Sequence, residues 1–398
     1  MWAARVAAER IGPDGGRVTL LEKNAKTGAK ILMSGGTRCN LTQDCDARGA
    51  TEAFMNGGRW LQKPVGRLPP DRIVRWFNEH GVATKVESTG KIFPESDRAL
   101  EVRDALLRSA VATGVQVRTR AMVVGVERQD GGWVVRLPDG DLEADRIIVT
   151  AGGRSWPGCG TTGDAYGWLE TLGHTIVPTR PALVPLTGGD DLSRSLAGLT
   201  IDDTVATVRR RGVDGKRGVI DTRRGGTLWT HTGYSGPAPM NVSGAITGAD
   251  SIADVSLEFD LLPDVSEETL GHELTGGGRS AVSKVLSRRL PNSIADAVVS
   301  AAGGDTAAAE LSRRRRAAMV EGVKRHPAIV HGTRGFAKAE VTAGGVTTDE
   351  VCPRTMHSRV ADGLFIAGEV LNVDGPIGGY NFTAAFATGQ AAGEAVGG

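Results

Sequence analysis

The sequence is poor in cysteine, in aromatic residues and in net charge, and each shortage closes off a class of protein. Its four cysteines, Cys39, Cys45, Cys159 and Cys352, show neither a metal-ligand spacing nor a redox pairing, and they are too few to staple 398 residues. A reducing, cytoplasmic setting is expected. Lys and Arg number 47 against 46 Asp and Glu, so no excess charge is available to hold a polyanion. Neither nucleic acid nor an anionic membrane is the expected partner; a small molecule is. No apolar run approaches the roughly 18 to 20 residues that span a bilayer. The stretch from Met1 to Ile11 carries Glu9 and passes through the turn Gly12-Pro13-Asp14-Gly15-Gly16 into a strand, unlike a signal or transit peptide. The basic runs Arg209 to Arg211 and Arg313 to Arg316 read as solvated faces.

Glycine is what the chain has in plenty: 56 residues, about twice the usual share of roughly 7 per cent. Pairs stand at Gly35-Gly36, Gly152-Gly153, Gly344-Gly345 and Gly378-Gly379, where a chain can turn with positive φ or let a bulky ligand approach. Around them runs an α/β pattern. An Ala-rich helix from Trp2 to Arg10 leads into a short apolar strand closing on Glu22, which is the second half of a βαβ unit. A helix from Asp97 to Thr113 follows, then strands at 115–118, 121–127 and 133–137, and the apolar strand Ile147-Ile148-Val149. Alternating strands between 204 and 231 suggest a small barrel, and 266–324 is mostly helical. The strand Leu364-Phe365-Ile366 and the helix from Phe382 to Val396 complete the pattern.

Four stretches agree on one kind of ligand. Glu22, with Lys23 after it, ends a strand where a carboxylate accepts the hydroxyls of an adenosine ribose. The run from Lys30 to Thr42 is glycine-rich and polar, with Arg38 and Asn40 as donors to a pyrophosphate or ring edge and Cys39 between them. Ala151-Gly152-Gly153 ends an apolar strand in residues small enough for a dinucleotide to pass. Gly368-Glu369, then Gly379-Tyr380-Asn381-Phe382 at a helix start, place a carboxylate near a ribityl hydroxyl. The positive end of the helix then lies near a reduced flavin, with Gly379 against the ring edge. His231 and Cys39 are candidate catalytic groups, and His174 is the other histidine weighed for that role. No metal site is expected.

These runs, together with Gly90 to Asp97, Thr162-Gly163-Asp164, Leu172-Gly173-His174, Thr230 to Pro237 and Val341 to Val346, resemble in order a family of bacterial flavoproteins. It is the aminoacetone-oxidase-like or BaiN-like group of NAD(P)/FAD oxidoreductases. The resemblance extends from Trp2 to Gly393. It implies a Rossmann-like FAD-binding domain of the two-dinucleotide-binding type, built from 1–180 and 340–398. An inserted β-barrel substrate domain would occupy 181–339, with a helical subdomain at about 264–326. It also implies FAD as cofactor and hydride transfer through flavin N5 between a small organic substrate and NAD(P)H, docking transiently, or oxygen. The ribose contact falls on Glu22, the flavin-proximal loop on Arg38 to Asn40, the strand-end contact on Ala151 to Gly153, and the ribityl and ring contacts on Gly368, Glu369 and Gly379 to Phe382. A protein that binds flavin without turnover is the alternative. The family opens with a strand and a Gly-x-Gly-x-x-Gly loop, and neither precedes Trp2. We expect the natural start to lie upstream.

Overall fold

Small side chains bring the two ends of the chain together. Helix α1 (Trp2–Ile11) buries Ala3, Ala4, Ala7 and Ala8, and a Cβ on Gly393 would stand 2.6 Å from the Ala3 carbonyl oxygen and 2.7 Å from Val6 Cβ. Only glycine lets the terminal helix approach α1 this closely. The chain is described here by a computed structural model covering residues 1–397, with Leu192 known by its backbone alone. It divides into two compact units, Met1–Pro181 with the chain from Ala339 onward, and Ala182–Lys338.

In the first unit α1 leads to β1 (Thr19–Glu22), then α2 (Ala29–Met33), β2 (Gln116–Thr119) and β3 (Ile147–Val149). After the second unit come β4 (Leu364–Ile366) and α3 (Tyr380–Val396). β1 pairs parallel with β2, Glu22 opposite Thr119; β4 pairs parallel with β3, Ile366 opposite Val149. These are two separate pairs, and no strand among the described residues joins them. Helix α1 covers both: Ala4 and Ala8 pack with Leu20 and Val117, and Ala7 with Ile148 and Phe365. Parallel strands need cover on their faces, and their apolar runs show it. Two three-stranded antiparallel sheets accompany them, one of Thr42–Gln43, Lys91–Pro94 and Thr84–Val86, the other of Gly125–Gln129, Gly132–Arg136 and Leu142–Ala144. The strand expected at 121–127 begins only at Gly125. Its first residues cross between sheets instead, Ala121 N–H donating to the Glu22 carbonyl and Val124 N–H to that of Arg136.

The second unit holds a seven-stranded antiparallel sheet around Trp229, Tyr234 and Phe259, all essentially buried. Its two edge strands, His326–Ala328 and Val330–Thr333, are consecutive in the chain and separated by Ile329 alone. They are thus two stretches of one bent strand, the first paired with Val255–Asp260 and the second with Leu186–Gly188, and the sheet curls into a barrel. Helices Glu267–Gly276, Val282–Leu286, Asn292–Ala301 and Arg313–Lys324 pack beside it. No helix among the described residues is long and apolar enough to cross a membrane.

Candidate functional site

In an open parallel sheet, ligands bind beyond the carboxyl ends of the strands, where loops diverge. Three of the sequence-predicted segments lie at such ends: Glu22 and Lys23 after β1, Ala151 to Gly153 after β3, and Gly368-Glu369 after β4. Glu22 is half-buried; its Oε1 accepts the Asn24 N–H at 2.8 Å, which leaves most of its acceptor capacity for a ligand. Lys23 donates to Thr162 Oγ1 at 2.7 Å and to Asp164, fixing the strand end to the start of helix Asp164–Thr171. Gly152 has φ +75°, a conformation that admits glycine freely, and Ala151 is exposed. Gly153 is small for another reason: a Cβ there would stand 2.4 Å from Thr342 Oγ1. That oxygen accepts the N–H groups of Arg154 at 2.8 Å and Ser155 at 3.1 Å.

Glu369 is held from three directions. Its Oε1 accepts from Ser155 Oγ and from the Thr342 N–H, both at 2.8 Å, and its Oε2 accepts from Lys30 Nζ at 2.7 Å; Lys30 also donates to Ser155 Oγ. Lys30, Ser155 and Thr342 had no assigned role from sequence. Lys30 opens the polar run before Arg38 and Thr342 stands in the Val341 to Val346 run, but linear order does not bring either to Glu369. Beside this cluster the Tyr166 hydroxyl is buried without a partner among the described residues. Burial and the Glu369 charge push its ionisation well above the ordinary value, with Arg154 opposing.

Other predicted residues are engaged elsewhere. Arg38 donates to Glu87 at 2.6 Å and to Asp97 at 3.4 Å, and its guanidinium lies 4.0 Å from the Phe93 ring centroid. It is thereby committed to a charge cluster and not to a pyrophosphate. Asn40 is buried and, with its amide oriented to suit its neighbours, donates to the carbonyls of Thr42 and Ile92 and accepts the Gly379 N–H. It ties the polar loop to the start of α3. Gly379, expected against a ring edge, faces protein: a Cβ there would come within 2.6 to 2.7 Å of the Thr42 backbone. Asn381 exchanges hydrogen bonds with Gly375, donating to its carbonyl at 2.8 Å and accepting its N–H at 2.9 Å. Tyr380 meets Phe54 edge-on, and Phe382 stacks on Phe386. These four shape the loop that precedes α3.

The catalytic candidates change most. Cys39 is 1% exposed, and burial pushes its thiol up to about 12, so it is no thiolate at neutral pH. His231 lies exposed on the turn between Val219–Thr230 and Gly233–Ser235 in the second unit. His174 sits between Glu350, 2.9 Å from Nδ1, and Ser358, 2.8 Å from Nε2. Ser358 Oγ accepts the N–H groups of Val360 and Ala361, so its proton goes to Nε2 and Nδ1–H donates to Glu350. With Ser358 1% exposed, this Ser-His-Glu chain has no opening to a substrate and braces the loop before β4. Among the described residues no cluster suits a metal ion.

Does the strand-end crevice suit a flavin dinucleotide? Gly368 has φ +81°, and a Cβ there would meet nothing within 4 Å, so backbone is exposed to open space beside Glu369. Two carboxylates with acceptor capacity, a buried hydroxyl with no partner among the described residues, and the positive end of α3 complete the donor and acceptor set. The ribose, ribityl and ring portions of FAD fit these groups.

Residues 3–395 match the family described as HI0933-like protein Rossmann domain. The chain is 30% identical over 385 residues to the ribosomal RNA dihydrouridine synthase of Escherichia coli K12, covering 96% of this chain and 92% of that one. It is also 30% identical over 399 residues to the 3-dehydro-bile acid delta(4,6)-reductase of Clostridium scindens, covering 98% and 95%. Among solved structures, FrdA of E. coli quinol fumarate reductase aligns with TM-score 0.49 at 17% identity, covering 100% of this chain and 68% of that one. The chain thus belongs to the HI0933-like Rossmann-domain family.

Proposed function

We propose that this protein is an FAD-dependent reductase that places hydrogen across a carbon–carbon double bond conjugated to a carbonyl in a small organic molecule, with NAD(P)H as transient hydride donor. The observation that carries it is that Glu22, Gly152, Gly368 and the held Glu369 each stand just past the carboxyl end of a parallel strand. The reaction type is supported by two curated relatives, one named for making a dihydro base and one as a reductase.

FAD, when bound, supplies a two-electron carrier that takes and gives hydride at N5. The chain's own groups bind and orient. Glu22 accepts from ribose, Glu369 accepts from the ribityl chain, and Gly368 leaves room for the ring. The positive end of α3 favours negative charge placed before it, which is where a reduced flavin is stabilised. Asn40, Asn381 and the Thr42 backbone keep that helix start in place.

A small substrate is favoured over RNA by the charge of the second unit. Its 20 Lys and Arg face 18 Asp and Glu, and many of its arginines are committed: Arg209 to Glu258, Arg224 to Asp203 and Asp264, Arg289 to Glu273, Arg325 to Glu267 and Glu321. A net charge this small is a weak hold on a polyanion. The test is anaerobic. NADH or NADPH should bleach the flavin absorbance near 450 nm, and a conjugated enone should restore it where a uracil-containing RNA does not. Reoxidation by the RNA and not by the enone would replace this substrate class with the other, and failure of both nicotinamides to bleach the flavin would remove the proposed donor.

A further inference from the structure

Lys30 is a charged group of the site that binding of FAD, as described above, leaves without a task. Its side chain is 29% exposed and that of Glu369 19%, so their ion pair is partly shielded from water. A carboxylate has about four acceptor positions. Oε1 of Glu369 spends both of its positions on Ser155 Oγ and the Thr342 N–H, and Oε2 spends one on Lys30. One position on Oε2 stays open. That oxygen lies 3.9 Å from the point where a Cβ on Gly152 would stand, a point 3.1 Å from Thr161 Cγ2, so it faces the bare backbone of Gly152. The Tyr166 hydroxyl, on a residue 8% exposed, is an unspent donor close enough to Glu369 to feel its charge. An open acceptor on a held carboxylate is what a polyol chain, itself a series of hydroxyl groups, can satisfy.

We propose that Lys30 is a positioning residue: by holding Oε2 of Glu369 it aims the carboxylate's one open acceptor position at a hydroxyl of the ribityl chain. The proposal rests on FAD being the ligand of this site. Lys30 acts through Glu369, since its ammonium is already donating to Glu369 and Ser155. Without it, the carboxylate is tethered by Oε1 alone and carries an uncompensated charge into a site that must accept a diphosphate ligand.

The test compares riboflavin, which has the ribityl chain, with lumiflavin, which lacks it, by fluorescence titration of flavin-free protein. K30M and E369Q are each expected to weaken riboflavin about ten- to hundredfold, the range for a charge-assisted hydrogen bond, with lumiflavin affinity unchanged. K30R should restore most of the riboflavin affinity. The double variant K30M/E369Q should be no weaker than the worse single, because both act on one contact. If K30M is insoluble, K30Q makes the same comparison. Equal losses for both flavins, additive losses in the double variant, or unchanged riboflavin affinity would each overturn the role of Lys30 while leaving the flavin site standing. Wild-type protein that binds neither flavin would overturn the flavin site itself, and this proposal with it.

Discussion

Two glycines with almost the same backbone conformation are expected to respond in opposite ways to the same methyl group. Gly368 has φ +81° and Gly379 φ +87°, so alanine at either position costs about 1 kcal/mol for the left-handed conformation. At Gly368 the cost stops there, since the new Cβ meets nothing within 4 Å. At Gly379 it meets three backbone atoms of Thr42 at 2.6 to 2.7 Å. Thr42 belongs to a strand paired with Lys91–Pro94 and cannot swing aside as a side chain would. Overpacking of that kind adds about 1 to 3 kcal/mol, so Gly379→Ala should cost about 2 to 4 kcal/mol and Gly368→Ala about 1. Urea denaturation of the flavin-free proteins measures both, and the m-values should stay equal. FAD titration should then reverse the order of harm: Gly368→Ala, well folded, loses FAD because its methyl occupies the open space, whereas any folded Gly379→Ala retains it. Equal destabilisation by the two changes, or wild-type FAD affinity in Gly368→Ala, would refute the reasoning.

Other outcomes follow from single residues. Glu22→Ala should weaken FAD by about 1 to 3 kcal/mol through lost charge-assisted hydrogen bonds to ribose, measured by calorimetry, with riboflavin affinity unchanged. Burial lowers the His174 pKa, the hydrogen bond and charge of Glu350 pulling it part of the way back. The folded state therefore binds the proton less well than the unfolded chain. The stability this contributes is present above the unfolded value near 6.5 and is lost as pH falls below it. His174→Asn should flatten the fall of melting temperature between about pH 7 and pH 5, and an unchanged slope would mean that another group sets it. Cys39 should resist iodoacetamide at pH 8 in native protein and react once unfolded, while Cys352, half-exposed, reacts first. Hydrogen bonds from Thr355 and the neighbouring backbone outweigh burial and lower the Cys352 pKa, and peptide mass mapping reads both thiols.

How much of this was legible in the sequence depends on whether a residue's role is local. Apolar runs closing on Glu22, on Ala151-Gly152 and on Gly368-Glu369 announce strands that end in small or acidic residues, and the structure has strands there because burial on both faces demands such runs. The α/β class followed from that alternation. Partners could not be read the same way. Arg38 and Asn40 look like ligand donors in a polar loop, but Glu87, Asp97 and Phe93 claim the first and the Gly379 N–H the second, all at least 49 residues away. Gly379 leaves no room for a side chain, and the neighbour that fills the space is the Thr42 backbone. Lys30 and Thr342 were invisible as site residues because their partners, Ser155 and Glu369, lie on loops that meet only after the strands pair. Residue type and spacing reveal where backbone must come close. They do not reveal what it comes close to.

Binding of FAD across the strand ends is tested most directly by competition. FAD is titrated into the protein, wild-type and with Glu22→Ala or E369Q, in the presence of ADP or of riboflavin. One FAD per chain is expected, displaced by either half-ligand, with Glu22→Ala weakening competition by ADP alone and E369Q weakening competition by riboflavin alone. Absence of saturable FAD binding, or two variants that weaken both half-ligands alike, would contradict a site built from Glu22 at one end and Glu369 at the other.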